Sequence, residues 1–197
     1  MDILIASGNK GKINEISHYF ENKDINIHDL SSLKINSTPD EPYDSFIMNS
    51  FHKASFYSQF SDMIILSDDS GLEVECLDNQ PGVLSARYGG TELSDYERND
   101  YLISNLPNTI TKPKAKFKCV LTLFYKNKWV SFFEGICEGY LIRNQKGEKG
   151  HGYDPIFYIE RYSKTFGELE LSIKNRISHR AIALKKLSEF IDANLIV

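Results

Sequence analysis

The sequence predicts an α/β fold with a long mixed β-sheet, flanking helices and two lobes around a central cleft. Short apolar runs typical of buried strands alternate with helical apolar spacing near both ends of the chain. Strands with one apolar face, as in antiparallel sheets, fill the middle. Neither a repeat nor a linker divides the 197 residues. We therefore expect one domain over residues 1–197, with the central antiparallel strands, roughly 115–142, in the second lobe.

The elements of the first part follow from the period of their apolar residues. Ile3–Ala6 predicts a buried parallel strand. Helical spacing of Ile13, Ile16 and Phe20 then predicts a helix. The expected order is a strand over 3–6, a helix over 12–21, a strand over 25–30, a loop over 37–44, a helix whose inner face carries Ile47, Phe51, Ala54 and Ser58, a strand over 63–66, an acidic turn over 67–71 and a strand over 72–77.

The second part is predicted in the same way. Ser94 and Glu97 have the spacing of a capping box, so a helix should begin there and reach about Asn105. Alternating apolar residues predict strands over 115–123, 129–133 and 136–142, and a glycine-rich turn leads to a strand over 156–159. The last helix should run from Ser178 to about Ala193, with an inner face of Ala183, Leu187, Phe190 and Ile191.

Composition excludes several classes of protein. Hydrophobic residues make up 41% and charged residues 25% of the chain, which is a globular rather than a disordered composition. The formal net charge of −4 argues against binding to a nucleic acid polymer. The three cysteines lack metal-ligand spacing and indicate reduced thiols, and no apolar run approaches the length of a membrane span. We expect a soluble cytoplasmic protein with neither a nucleic acid polymer nor a membrane as partner.

The stretch Ser7-Gly8-Asn9-Lys10-Gly11-Lys12 follows the first strand and precedes the first helix. Only two residues separate its glycines, so it is not a Walker loop. Glycines nevertheless let backbone N–H groups approach an anion, and a helix N-terminus and lysines attract phosphate. The stretch is a candidate phosphate-binding loop, with a plain strand-to-helix turn as the alternative.

Asp68 and Asp69 follow a buried strand. Adjacent carboxylates repel each other unless cations or hydrogen-bond donors neutralise them, and ligands bind at strand ends in α/β sheets. Oxygen ligands favour Mg²⁺ or Mn²⁺. In a strand the two side chains point to opposite faces, so at most one would contact the metal. An ordinary acidic turn is the alternative.

Two further stretches carry weaker signals. In Gly150–Phe157, His151 stands between two glycines and would stack on a planar ligand, although a flexible loop explains the glycines equally well. Ser178 is a candidate cap of the last helix, and cations at His179 and Arg180 are unfavourable in a first turn unless an anion lies nearby. Arg180 and the upstream Lys174 are therefore candidate phosphate or base contacts.

Together these stretches resemble the inosine triphosphate pyrophosphatase family, whose members remove deaminated purine nucleoside triphosphates. The matching pieces occur in order across nearly the whole chain: SGNKGKINEI, DEPYDSF, SDDSGLEV, PGVLSARYGG, GHGYDPIF and ISHRAIAL. The resemblance implies a two-lobed α/β fold, an active site in the cleft and a homodimer. It also implies hydrolysis of ITP, dITP or XTP to the monophosphate and pyrophosphate with Mg²⁺, or alternatively Mn²⁺.

The resemblance also assigns roles to residues. Asp69 would be the general base and, with Glu41, a metal ligand, while Ser7 to Lys12 would hold the phosphates. The other expected substrate-binding residues are Lys53, Ser70, His151, Gly152, Tyr153, Asp154, Lys174, His179 and Arg180. His179, Arg180 and backbone N–H groups would donate to the carbonyl at position six, where adenine carries an amino group.

Two positions depart from the family pattern. His151 stands where phenylalanine usually stacks on the base, and its smaller, titratable ring would alter base preference. Met48 replaces an acidic residue beside Asn49, which removes an expected contact with metal or lysine. The sequence also leaves open whether Asp68 and Asp69 exchange roles.

Two other functions fit less well. One is a related pyrophosphatase that acts on modified pyrimidine nucleotides such as dTTP or UTP. The Ser178-His179-Arg180 and Gly152–Pro155 stretches favour a purine substrate instead. The other is a sensor that binds nucleotides without hydrolysis. Glu41, Asp68 and Asp69 argue against a sensor, because a pure binding protein needs no base beside a metal.

Overall fold

The computed structural model describes residues 1–194, and it has a mixed sheet with flanking helices, which confirms the predicted α/β class. The predicted cleft between two lobes stays a prediction. The strands are β1 (Asp2–Ala6), β2 (Asn26–Asp29), β3 (Ile64–Val74), β4 (Lys114–Tyr125), β5 (Trp129–Leu141), β6 (Phe157–Ile159) and β7 (Lys164–Thr165). The helices are α1 (Lys10–Phe20), α2 (Phe46–Tyr57), α3 (Asp95–Asn105), α4 (Leu171–Ile177) and α5 (His179–Asn194). Within residues 1–194, no helix combines the length and apolar composition needed to cross a membrane.

The seven strands follow the order β2-β1-β3-β4-β5-β6-β7. Strand β1 pairs in parallel with β2 and β3, whereas β6 is antiparallel to β5 and β7. The pairing of β1 with β3 ends where Ala6 lies opposite Ser67. Residues 68 and 69 of β3 therefore extend just past the carboxyl end of β1, where α/β sheets present ligand-binding groups.

The chain divides into two compact units. The first contains Met1–Asp69, Cys119–Gly135 and the chain from Arg180 onward, and its cores lie on both faces of β1, with Ile3 and Ile5 in one and Leu4 and Ala6 in the other. The second contains Ser70–Lys118 and Ile136–His179 around a core that includes Leu72, Phe117 and Phe157. Residues 119–135 of the predicted second-lobe strands thus belong to the first unit. The organisation as one two-lobed domain stays a prediction.

The predicted acidic turn between two strands is wrong. Ile64–Val74 is one continuous strand, and Ser67, Asp68 and Asp69 are buried within it. Two adjacent aspartates are unusual inside a buried strand, so the sequence did not indicate a strand at these positions. In the folded chain, cations from other elements neutralise the two carboxylates, as described below. The strands predicted over 129–133 and 136–142 likewise form one strand, β5.

Helix boundaries follow the predicted capping chemistry in part. Ser94 and Glu97 form the expected capping box, in which Ser94 Oγ accepts from Glu97 N and Glu97 Oε2 accepts from Ser94 N. Helix α1 begins at Lys10, earlier than predicted, because Asn9 caps it. The short elements α4 and β7 were not predicted, and Ser178 lies between α4 and α5 in an extended conformation.

Candidate active site

Side-chain caps organise the Ser7–Lys12 stretch. Asn9 N donates to Ser7 Oγ at 3.2 Å, and Asn9 Oδ1 accepts from Lys12 N at 3.1 Å. These bonds start α1 directly after β1, so Lys10, Gly11 and Lys12 form the first helical turn rather than a loop. The positive end of the helix dipole therefore lies at the predicted phosphate-binding residues.

Asp68 is buried in the first unit, where its carboxylate contacts several side chains. Its carboxylate pairs with Lys12 Nζ, accepts from Arg180 Nε at 2.9 Å, and accepts from the Cys119 thiol at 3.1 Å. Burial alone would raise the pKa of Asp68, but the Arg180 guanidinium and the Lys12 ammonium hold that pKa well below its usual value. Asp68 is therefore an anion whose bonding capacity is used by structural partners.

Arg180 lies inside the first unit rather than at a surface. Its side chain is 2% exposed, and its NH1 group pairs with Glu15 on α1 while Nε pairs with Asp68. Burial would lower the pKa of Arg180, but the two carboxylates raise it. The guanidinium thus ties α5 to α1 and β3, which makes Arg180 a support of Lys12 through Asp68. Its predicted contact with substrate stays a prediction.

Asp69 points to the other side of β3 and meets a different cation. Lys53 Nζ on α2 lies 3.6 Å from Asp69 Oδ1 and also pairs with the Glu41 carboxylate. Burial raises the pKa of Asp69 to about 6, and the attraction of Lys53 only partly offsets it. Lys53 itself keeps a raised pKa, because Asp69 and Glu41 outweigh the effect of its burial. Asp69 is therefore poised to exchange a proton near neutral pH, and Asp68 is not.

Glu41 and Asp69 fit the predicted metal ligands in their chemistry. Both are carboxylates that share one cation, and Mg²⁺ is usually held by one or two protein carboxylates together with substrate phosphates. Over the described residues, no group of three or more His, Cys, Asp or Glu side chains is arranged to hold a metal ion. The two-carboxylate set matches a metal that relies on substrate oxygens for its remaining ligands.

In the second unit, Asp154 and Lys174 form a buried pair. Lys174 Nζ donates to Asp154 Oδ2 at 2.6 Å, and the same oxygen accepts from His151 N at 2.8 Å. Gly150 has φ +83°, and a Cβ there would lie 2.0 Å from Asp154 Oδ2. The glycine is thus required by the close approach of this carboxylate, which anchors the turn over residues 150–154.

Helix α3 holds the same turn at Gly152. Gly152 N donates to Asp95 Oδ2 at 2.7 Å, and Gly152 O accepts from Asn99 Nδ2 at 3.0 Å. Because Asp95 and Asn99 are one helical turn apart, they can hydrogen-bond to the backbone N–H and the backbone carbonyl of Gly152 together. Tyr153 is buried, and its hydroxyl donates to Ser85 O at 2.8 Å. In this structure Tyr153 anchors the turn and leaves the exposed His151 at its tip.

The remaining predicted site residues of the second unit have distinct environments. His179 is buried, and its ring stacks on Phe117 with 4.7 Å between centroids and 12° between planes. Ser70 is half-buried in β3 next to Asp69 in the chain. In the first unit, Gly8, Asn9 and Lys10 are exposed. The structure thus joins Lys12 with Asp68 and Arg180, joins Glu41 with Lys53 and Asp69, and joins His151 with Asp154 and Lys174.

Sequence reasoning missed several residues that organise these groups. They are Glu15, Asn49, Tyr57, Asp95, Asn99, Phe117 and Cys119. A spacing of four residues was the available signal for two sets of them: Asn49 and Tyr57 flank Lys53 on α2, and Asp95 precedes Asn99 on α3. Cys119 and Glu15 gave no local signal, because their partners are distant in sequence.

Comparison with known proteins identifies the family. A model of the Ham1 family matches residues 3–190. The chain is 37% identical over 193 residues to a dITP/XTP pyrophosphatase from Desulforamulus reducens, and this alignment covers 98% of this chain and 96% of the relative. The Ham1 protein of Staphylococcus aureus superposes with a TM-score of 0.87 at 34% identity, over 98% of both chains. A HAM1 protein from Coxiella burnetii gives a TM-score of 0.89 at 31% identity, over 98% of both chains. These matches confirm the resemblance inferred from the motifs, and the chain belongs to the Ham1 family.

Proposed function

We propose that this protein is a metal-dependent hydrolase that converts ITP, dITP and XTP to the monophosphate and pyrophosphate. This activity would keep deaminated purine nucleotides out of DNA and RNA. Hydrolase activity is supported by relatives named dITP/XTP pyrophosphatase. The observation that carries the proposal is the group of Glu41, Lys53 and Asp69, in which the pKa of Asp69 is raised to about 6. A general base works best when its pKa lies near the working pH.

In the proposed reaction, the Ser7 to Lys12 stretch at the start of α1 binds the triphosphate, with the backbone N–H groups of Gly8, Lys10 and Gly11 and the Lys12 ammonium as donors. Asp69 accepts a proton from the water that attacks the α-phosphorus. Glu41 and Asp69 would hold a bound Mg²⁺ or Mn²⁺, which would supply neutralisation of phosphate charge. Lys53 adds positive charge beside both carboxylates, and Asp68 with Arg180 keeps Lys12 in place.

We propose that the base is read by residues of the second unit: Ser70, His151, Gly152, Tyr153, Asp154, Lys174 and His179. The fixed turn over 150–154 supports this role, since Asp154, Asp95 and Asn99 hold its backbone. A donor held beside the base, such as the His179 ring that stacks on Phe117, would favour the six-carbonyl of hypoxanthine and xanthine over the amino group of adenine, which would be left facing a donor.

Pyrophosphate release tests the function. The purified protein is incubated with ITP, XTP, GTP, ATP, dTTP and UTP, with Mg²⁺ or with EDTA, and Asp69→Asn serves as the inactive control. Metal-dependent hydrolysis of ITP and XTP well above the others supports the proposal. Preference for dTTP or UTP would assign a pyrimidine substrate instead, and tight binding without turnover would make the protein a sensor.

Two further properties belong to this proposal and rest on the family and the composition. We propose that the protein acts as a homodimer in the cytoplasm. Light scattering coupled to size-exclusion chromatography tests the assembly, for which a mass near twice the 22.6 kDa of the chain is expected. A mass near that of one chain would contradict it. Fractionation of the source cells tests the location.

A further inference from the structure

The segment that carries Glu41 is fastened to α2 at three points. This segment, residues 37–44, lies between β2 and α2 and contains neither helix nor strand. Asn49 Oδ1 accepts from Tyr43 N at 3.0 Å, and Asn49 Nδ2 donates to Tyr43 O at 2.8 Å. Lys53 pairs with Glu41, and the Tyr57 hydroxyl donates to Ser37 O at 3.0 Å.

The three side chains come from one stripe of α2. Asn49, Lys53 and Tyr57 are four residues apart, and residues at that spacing lie above one another on one helix face. All three are buried, with 0%, 9% and 2% of their surface exposed. Their partners follow in the opposite order along the chain, so the segment runs antiparallel to the helix from Ser37 to Tyr43. The contacts thus bracket Glu41 on both sides.

Each outer contact suits the task of fixing a segment without regular structure. The Asn49 amide satisfies both backbone groups of one residue, which a strand partner would otherwise do. The Tyr43 ring packs edge-on against His52 at 5.7 Å, which adds a second constraint at the same point. Both anchoring side chains, Asn49 and Tyr57, are buried, whereas Ser37 and Tyr43 are exposed, so losing either side chain leaves the segment held by fewer contacts. These contacts make the bracketed position of Glu41 the favoured one.

We propose that Asn49 and Tyr57 are positioning residues that hold Glu41 beside Lys53 and Asp69 for binding of the divalent metal. This inference rests on the proposed function, in which Glu41 and Asp69 are the metal ligands. Lys53 occupies the middle of the stripe and pairs with both carboxylates. The stripe therefore fixes the distance between the two ligands before metal arrives, which lowers the ordering cost of binding.

The first test measures metal binding without turnover. Mn²⁺ is titrated into metal-free protein and the free ion is followed by electron paramagnetic resonance. Relative to wild type, Asn49→Ala should weaken Mn²⁺ binding about tenfold and Tyr57→Phe about threefold, from the loss of two bonds and one bond respectively. The matched control Tyr96→Phe removes a hydroxyl at a residue that is 65% exposed and should leave binding unchanged.

A double-mutant cycle separates positioning from general destabilisation. Glu41→Gln alone should weaken Mn²⁺ binding, and adding Asn49→Ala or Tyr57→Phe to it should weaken binding no further. In the single variants, hydrogen exchange over residues 37–44 should accelerate. Activation by Mg²⁺ should shift to higher concentration while saturating Mg²⁺ restores turnover, which a merely unfolded fraction would not do.

The outcomes distinguish the two proposals. If Glu41→Gln binds Mn²⁺ as wild type does, Glu41 has no metal role and the metal part of the proposed function fails. If Glu41→Gln weakens binding while Asn49→Ala and Tyr57→Phe do not, only the positioning role is overturned. Additive losses in the cycle would also overturn it. Because Tyr57→Phe removes a single oxygen, it keeps the test decisive even where Asn49→Ala folds poorly.

Discussion

Asp69→Asn should stabilise the metal-free fold at neutral pH while abolishing turnover. Asp69 is buried among Lys53, Glu41, Lys12 and Asp68, and its pKa rises from 3.8 to about 6. The folded protein thus binds this proton more tightly than the unfolded chain. Stability is full below about pH 3.8 and falls as the pH rises through about 6, because the buried carboxylate must then be charged. Asparagine resembles the protonated carboxyl and avoids that cost.

The magnitude follows from the same two values. The interval from 3.8 to about 6, at about 1.4 kcal/mol for each pH unit, corresponds to about 3 kcal/mol at pH 7.5. Linkage predicts about half of that gain near pH 5 and less than about 1 kcal/mol near pH 4. For a chain of this size, about 3 kcal/mol raises the melting temperature by about 6–12 °C. Lys53 keeps Glu41 as a partner in the variant.

Urea unfolding in EDTA at these three pH values measures the gain. Trp129 is the single tryptophan and packs against Tyr125 and Phe190, so its fluorescence reports on the first unit. The surface change Asp62→Asn controls for loss of one negative charge. A variant no more stable than wild type near pH 7.5, or one with an equal gain near pH 4, would refute the reasoning from burial.

Three other predictions concern the remaining charged and strained positions. Asp68→Asn should destabilise the fold by about 3 kcal/mol, because it leaves buried Arg180 without one of its carboxylates. Since the pKa of Asp68 is lowered, its contribution to folding stability is present above about pH 3.8 and is lost only below that pH. Urea unfolding should therefore show the same loss of stability in the variant at about pH 7 and pH 4.5. A loss confined to high pH would contradict this. Lys12→Ala should lower turnover of ITP about a hundredfold with an unchanged circular dichroism spectrum, and wild-type turnover would remove Lys12 from the phosphate site. Gly150→Ala should cost about 1–3 kcal/mol in urea unfolding, since its Cβ would overlap Asp154 Oδ2, whereas Gly152→Ala, which shares a positive φ but has nothing within 4 Å of its Cβ, should cost less; equal losses would count against the close approach.

Local patterns in the sequence predicted much of the fold correctly. Apolar periods placed β1, α1 and α5, and the Ser94–Glu97 capping box placed the start of α3. These signals work because helix and strand periods and caps depend on residues only a few positions apart. Helix α2 also forms, but its predicted inner face is wrong at Ile47, which is 41% exposed, because the buried face carries Asn49 and Lys53 instead. The turn predicted over residues 67–71 was wrong because the conformation there depends on residues that are distant in sequence. Asp68 and Asp69 have strand geometry because cations from other elements neutralise them.

The sequence by itself determined which residue types stand at the candidate site and, through the motifs, the family to which the chain belongs. Only the tertiary structure decided which of them are partners. Asp68 meets Arg180 across 112 positions of sequence, and this pairing leaves Asp69 beside Lys53 with its pKa near 6. The two carboxylates are adjacent and chemically identical in sequence. Their different pKa values arise from the two sides of β3, where each meets its own cations and its own degree of burial, and that environment exists only in the folded chain.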